Sequence, residues 1–175
     1  MRNVSRKEKK FLVDMASAKQ LEGLLSQVVP GDLHNGSHGY PVRSLYFDTL
    51  HDRDFAEKLF GTDPRRKVRL RVYDPTADFA LLELKQKQGE NQRKRSLPLM
   101  RAEARRLIEG DFDGLLDRPE PFAAEIHALM SINGYRPKAI VEYDRTAFIA
   151  KENKTRVTFD RNIRATELNQ GLFDP

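Results

Sequence analysis

Apolar and polar residues alternate most regularly between Arg65 and Lys87. In a strand, successive side chains point to opposite faces. Residues 65–73 therefore set Lys67, Arg69, Arg71 and Tyr73 against Val68, Leu70 and Val72. Residues 79–87 set Leu81, Glu83, Lys85 and Lys87 against Leu82 and Leu84. Asp74-Pro75, with Asp78 following, is turn chemistry, so the two runs predict a hairpin. After Gly89-Glu90-Asn91 turns the chain, Gln92–Leu97 predicts a third strand of the meander, with Arg93 and Arg95 on the cationic face and Lys94 on the other. Pro98 limits its extension.

The same pattern organises the rest of the chain. A first strand is predicted within residues 5–13, with Glu8, Lys10 and Leu12 opposite Phe11 and Val13. Asp14 reads as a helix cap, and Leu21, Leu24, Leu25 and Val28 give residues 16–28 an amphipathic helix. Residues 42–48 read as a strand with Ser44, Tyr46 and Asp48 on one face, and residues 52–60 as a short helix closed by Gly61. Residues 101–109 form a helix on Leu107 and Ile108, and residues 110–119 read as a mobile connection. Phe122, Ile126, Leu129 and Met130 mark a helix from Pro121 that Gly134 stops. Strands follow at 138–150, with Tyr143, Arg145 and Ala147 on one face, and at 156–160, with Arg156, Thr158 and Asp160 on the polar face. The last fifteen residues are short of apolar content. The expectation is one α+β domain over residues 1–175: roughly seven strands joined mainly by hairpins, with helices outside.

Charge changes this picture. The formal net charge is +5, and the basic excess lies between Arg65 and Arg106. Any single surface arginine has an ordinary solvated reading. A strand face that carries Lys, Arg, Arg, Glu, Lys and Lys with almost no neutral polar residue does not. Cations opposite one another repel, and an anion between them relieves the repulsion. The planar donor fork of arginine suits phosphate oxygens. Basic residues on five strands that converge on one axis favour a closed antiparallel barrel with a polar interior over an open sheet with one face in water.

Several chemistries are excluded. The chain has no cysteine, hence no disulfide, thiolate zinc site or cysteine nucleophile. His34 and His38 have helical spacing but lie in a Gly-containing loop, which does not predict a metal site. No apolar run approaches a bilayer span, and Met1-Arg2-Asn3 does not open a signal peptide, so a cytoplasmic location is expected.

Five runs occur in an order and spacing that resemble the VTC domain, the polyphosphate polymerase branch of the CYTH-like triphosphate tunnel metalloenzymes. They are residues 42–49, residues 65–73 after Gly61, residues 82–87, residues 143–148 and residues 156–160. The resemblance covers about residues 3–165. It implies an antiparallel tunnel barrel of about seven to eight strands, lined by cations that hold a triphosphate or polyphosphate chain. It also implies transfer of the ATP γ-phosphate to a growing polyphosphate end. The phosphate contacts implied are Lys10, Arg69, Arg71, Lys85, Arg93, Arg95, Arg145 and Arg156, with Arg69, Arg71, Lys85 and Arg145 central to catalysis. A divalent metal, manganese or magnesium, is implied as well.

The family pattern continues into a strand with a metal-binding glutamate and a later phosphate-binding lysine, and neither is present here. Glu8 and Asp160 are the remaining candidate metal ligands. This departure keeps open a non-catalytic module for polyphosphate or inositol phosphates. A triphosphatase is the nearest enzymatic rival, but that branch alternates glutamates on its first strand, where this chain has Glu8 with Lys10. Nucleic acid is not expected as a partner, because no aromatic stacking platform is interleaved with the cations.

Overall fold

The computed structural model describes residues 1–174. Among them, seven strands and four α-helices follow in the order β1 (Arg2–Lys7), α1 (Met15–Val28), β2 (Tyr40–Asp48), α2 (Arg53–Leu59), β3 (Arg65–Val72), β4 (Phe79–Gln88), β5 (Asn91–Met100), α3 (Arg101–Ile108), α4 (Pro121–Ile132), β6 (Arg136–Ile149) and β7 (Arg156–Thr166). The sheet order is β1-β5-β4-β3-β2-β6-β7. The pairings of β1 with β5, β5 with β4, β4 with β3 and β3 with β2 are all antiparallel. The class is α+β with an antiparallel sheet, as the patterning predicts. The chain divides into two compact units, one of Met1–Glu8, Arg43–Val141 and Ala165–Pro175, the other of Lys9–Val42 and Glu142–Arg164.

The first unit holds the core. Val68, Leu70 and Val72 of β3, Leu82 and Leu84 of β4, Leu97 and Leu99 of β5, and Leu45 and Phe47 of β2 are buried in it. Ala104 and Leu107 of α3 and Phe122, Ala123, Ile126 and Met130 of α4 complete it. Each large side chain taken fully out of water contributes about 1.5–3 kcal/mol. Helix α4 has Pro121 in its first turn, where a missing N–H costs nothing. Gly134, at φ 60°, lets the chain leave it. Helix α2 is capped from outside: the Asp48 carboxylate at the end of β2 accepts the N–H groups of Asp54 and Phe55, both at 2.9 Å.

In the second unit, Asp14 caps α1 by accepting the Ser17 N–H at 2.9 Å. Asn35 completes a stretch of β6 through its amide, donating to the Ala147 carbonyl at 2.7 Å and accepting the Ala147 N–H at 3.1 Å. Gly39, at φ 87°, is required: a Cβ there would lie 2.4 Å from the Arg145 carbonyl oxygen.

Four expectations are corrected. The first strand ends at Lys7, and residues 8–14 have no regular structure, so Glu8 and Lys10 do not lie on a strand. Strand β5 runs on through Pro98 to Met100, because pairing with β1 ends at Ser96 and no β1 residue lies opposite the proline. The 110–119 connection is anchored: it contains a 3-10 turn at Asp113–Leu115, and Phe112 and Leu115 are buried. Leu172 and Phe173, in the stretch read as poor in apolar content, also join the core. Helix α1 forms as expected, yet Ala18 is its one buried residue and Val28 is 78% exposed. Periodicity identified the helix but could not supply a partner for its stripe.

Candidate functional site

Registers across β3, β4, β5 and β1 line up four rows of side chains on the face opposite the core. Arg65 pairs with Lys87, Lys87 with Gln92, and Gln92 with Arg6. In the next row Lys67 pairs with Lys85, Lys85 with Lys94, and Lys94 with Val4. Then come Arg69, Glu83, Ser96 and Arg2, with Tyr46 of β2 on the other side of Arg69. The last row has Arg71 between Ser44 and Leu81. Adjacent strands lie about 5 Å apart, so three lysines stand in line across three strands.

Like charges directly opposite destabilise a sheet, and each lysine of that row has its own counterweight. Lys67 lies 5.6 Å from the centre of the Tyr46 ring. Lys85 lies 3.7 Å from a Glu8 carboxylate oxygen. Lys94 donates to Glu83 Oε1 at 2.6 Å. The first of these is a cation–π contact and the other two are ion pairs.

Glu83 is the hub of the next row. Its relative exposure is 0%, and that of Arg69 is 4%. Arg69 donates from Nε and Nη2 to Glu83 Oε2 at 2.8 and 2.6 Å, and from Nη1 to the Tyr46 hydroxyl at 2.8 Å. Ser96 Oγ donates to Glu83 Oε1 at 3.3 Å. Burial alone would raise the Glu83 carboxyl, but the charges of Arg69, Arg71 and Lys94 overcome it and hold it at about 2. Burial would likewise raise the Tyr46 phenol; Arg69, Arg71 and Lys67 bring it below its ordinary value instead. Arg71 donates from Nε to Ser44 Oγ at 3.0 Å. The carboxylate, phenol and hydroxyl hold the buried guanidinium groups in place, while the lysine row is partly exposed.

The face assignment on β5 is reversed. Arg93 pairs with Gln86 and Arg95 with Leu84, so both point to the core side, and Lys94 lies on the cationic face. Arg95 is bound to α4: its Nη2 donates to Glu125 Oε1 at 2.6 Å, and its guanidinium lies 4.8 Å from the Phe122 ring centre. Arg93 is exposed and donates to Asn3 Oδ1 at 3.2 Å. The signal that could have set this register is the turn. Gln88 pairs with Asn91 across the two residues Gly89-Glu90, which forces Lys85 opposite Lys94. A one-residue error flips every side chain to the other face. Lys94 and Ser96 were lost to this error, and Glu83, Ser44 and Tyr46 are further residues of the site to which sequence reasoning gave no part in it.

The remaining expected contacts belong to the second unit. Arg145 makes a two-pronged pair with Asp160 at 2.7 and 2.8 Å. Its guanidinium lies 5.1 Å from the Tyr143 ring centre. Arg156 donates to Asp32 Oδ2 at 2.9 Å and to the Tyr40 hydroxyl at 2.6 Å. Lys10 is exposed. Glu8 and Asp160, the acids considered for a divalent metal, are each engaged by a cation, Lys85 and Arg145. Among the described residues no group of three His, Cys, Asp or Glu side chains stands together as a metal centre, so this donor set does not fit one. No helix among them is long and apolar enough to cross a membrane.

Comparison with known proteins adds two findings. The family model of the VTC domain matches residues 5–172. A solved structure of a candidate adenylate cyclase from Bacillus halodurans is similar in fold, with a TM-score of 0.52 at 17% identity, over 90% of this chain and 70% of that one. Comparison with curated protein sequences found no match.

Proposed function

This chain belongs to the VTC domain family, and we propose that the cationic face of β3, β4 and β5 holds the phosphates of a triphosphate or polyphosphate chain. The observation that carries this reading is the row of Lys67, Lys85 and Lys94, three cations in register across three strands. Arg69 and Arg71 stand behind them on the same face. The counterweights of Tyr46, Glu8 and Glu83 offset the repulsion within the row only in part, and a linear polyanion along the row offsets it further. Proteins that transfer phosphoryl groups contribute mainly positioning and electrostatics, and a cationic face without a dedicated nucleophile suits that chemistry.

The finer reading is transfer of the ATP γ-phosphate to a polyphosphate end, with Lys85, Arg69 and Arg71 against the transferring group, while Lys10, Arg145 and Arg156 are separate anion contacts of the second unit. Because Arg145 and Arg156 already hold carboxylates, an anion would have to compete with Asp160 and Asp32 for them. The engagement of Glu8 and Asp160 by cations favours a second reading, a phosphate-binding module without turnover. Titration calorimetry with triphosphate tests the shared premise, and heat-free titration at millimolar ligand would overturn it. ADP release and product length on a gel, from ATP with manganese or magnesium, then separate the two readings.

A further inference from the structure

We propose that Glu83 is a positioning residue of the phosphate face, which sets Lys94 and Arg69 for the anion although its own charge repels it. The proposal rests on the phosphate reading given above. A carboxylate in a cluster of cations has a simpler role, to neutralise them. Neutralisation needs only proximity, and an exposed acid at the rim would serve. Glu83 is instead at the centre of the face and wholly buried. Both of its oxygens are used, each toward a different neighbouring strand: Oε2 takes Nε and Nη2 of Arg69 on β3, and Oε1 takes Lys94 and Ser96 on β5.

Lys94 explains why such a hub is useful. It stands directly opposite Lys85, and its flexible four-carbon stem would carry the ammonium away from that like charge. The Glu83 oxygen holds it in the row, only partly exposed. Arg69 is fixed in the same way between Glu83 and Tyr46. An arriving anion then meets cations that are already ordered, and affinity rises because less ordering is left to binding.

The two roles predict opposite signs. Glu83→Gln adds one positive charge to the face. If Glu83 only neutralises, the variant binds triphosphate more tightly and its affinity falls more steeply with salt. If Glu83 positions, binding weakens despite the added charge, by about tenfold, and Glu83→Asp, which keeps the charge but shortens the reach, also weakens it. A purely structural role lowers the melting temperature and leaves the affinity and salt slope of the folded protein unchanged. In a Lys94→Met background the further loss from Glu83→Gln should shrink below about threefold, since the two residues act as a unit. Calorimetry of wild type and these variants over a salt series decides. Equal or tighter binding by Glu83→Gln overturns the proposal while wild-type binding stands, whereas no binding by wild type overturns the phosphate reading and this proposal with it. Should Glu83→Gln fail to fold, Glu83→Asp gives the answer, because it keeps the charge and changes only the reach to Arg69 and Lys94: a loss of about tenfold supports the proposal, and wild-type affinity overturns it.

Discussion

Arg69 and Arg95 are both buried arginines, 4% and 8% exposed, each paired with a glutamate, and they stand on opposite faces of the same sheet. Their partners differ. Glu83 is buried as deeply as Arg69 and is shared with Lys94 and Ser96. Glu125 is half exposed on α4 and serves to tie that helix to β5 beside Phe122. One arginine is part of a polar network laid under a cationic surface. The other fastens a helix to the core. An arginine's presence on a strand therefore says little about its role; the face it takes, and what covers that face, decide it.

The comparison is broken most directly by removing each arginine. Arg69→Met leaves Glu83 buried with reduced compensation, which costs about 3–5 kcal/mol of stability, and chemical denaturation should show it. A loss under about 1 kcal/mol would mean that the network on the cationic face is not cooperative. The next effect is on binding. Lys85→Ala and Lys94→Ala should each weaken triphosphate about tenfold, near 1.4 kcal/mol; the melting temperature should be unchanged or raised in Lys85→Ala, where like-charge repulsion is relieved, and lowered in Lys94→Ala, where buried Glu83 loses one of its cations. Wild-type affinity for Lys94→Ala would return the lysine to the role first expected of it, off the phosphate face.

Arg95→Met should do less. The new side chain can pack on Phe122, and Glu125 can turn to water, so stability should change by about 1 kcal/mol or less and triphosphate binding should not change. A binding loss there would show that the core-side face also meets the ligand. The smallest effect concerns acid. Asp54 is buried on α2 and accepts the Tyr135 hydroxyl at 2.7 Å. Burial and the nearby Asp48 charge raise it from 3.8 to about 6, against the opposing pull of Tyr135 and Arg66. The folded chain thus holds this proton more tightly than the unfolded chain. Its contribution favours the fold below about pH 4 and is lost as pH rises through about 6. Glu83 has the opposite sign: its contribution is present above pH 4.5 and lost as pH falls toward 2. Asp54→Asn should flatten stability between pH 4 and 6 and leave the acid limb below pH 4 intact. Unchanged slopes in that window would remove Asp54 from the account.

Alternation alone determined that residues 65–72 and 79–88 are strands with one apolar and one cationic face, because a strand's side-chain period is fixed at two whatever surrounds it. It also located α1, α2, α3 and α4, since apolar spacing and caps act within a few residues. Register is not local. Whether Lys94 or Arg95 joins Lys85 depended on the two-residue turn at Gly89-Glu90, and a shift of one residue there exchanges a lysine of the cationic face for a core-side arginine. Tyr46 and Ser96 entered the site only because their strands lie on either side of the β3–β4 hairpin. The core place of Leu172 and Phe173, and the exposure of the α1 stripe, were likewise decided by which surfaces meet. A residue's pattern fixes the face it can offer; only the packing of distant segments fixes what that face touches.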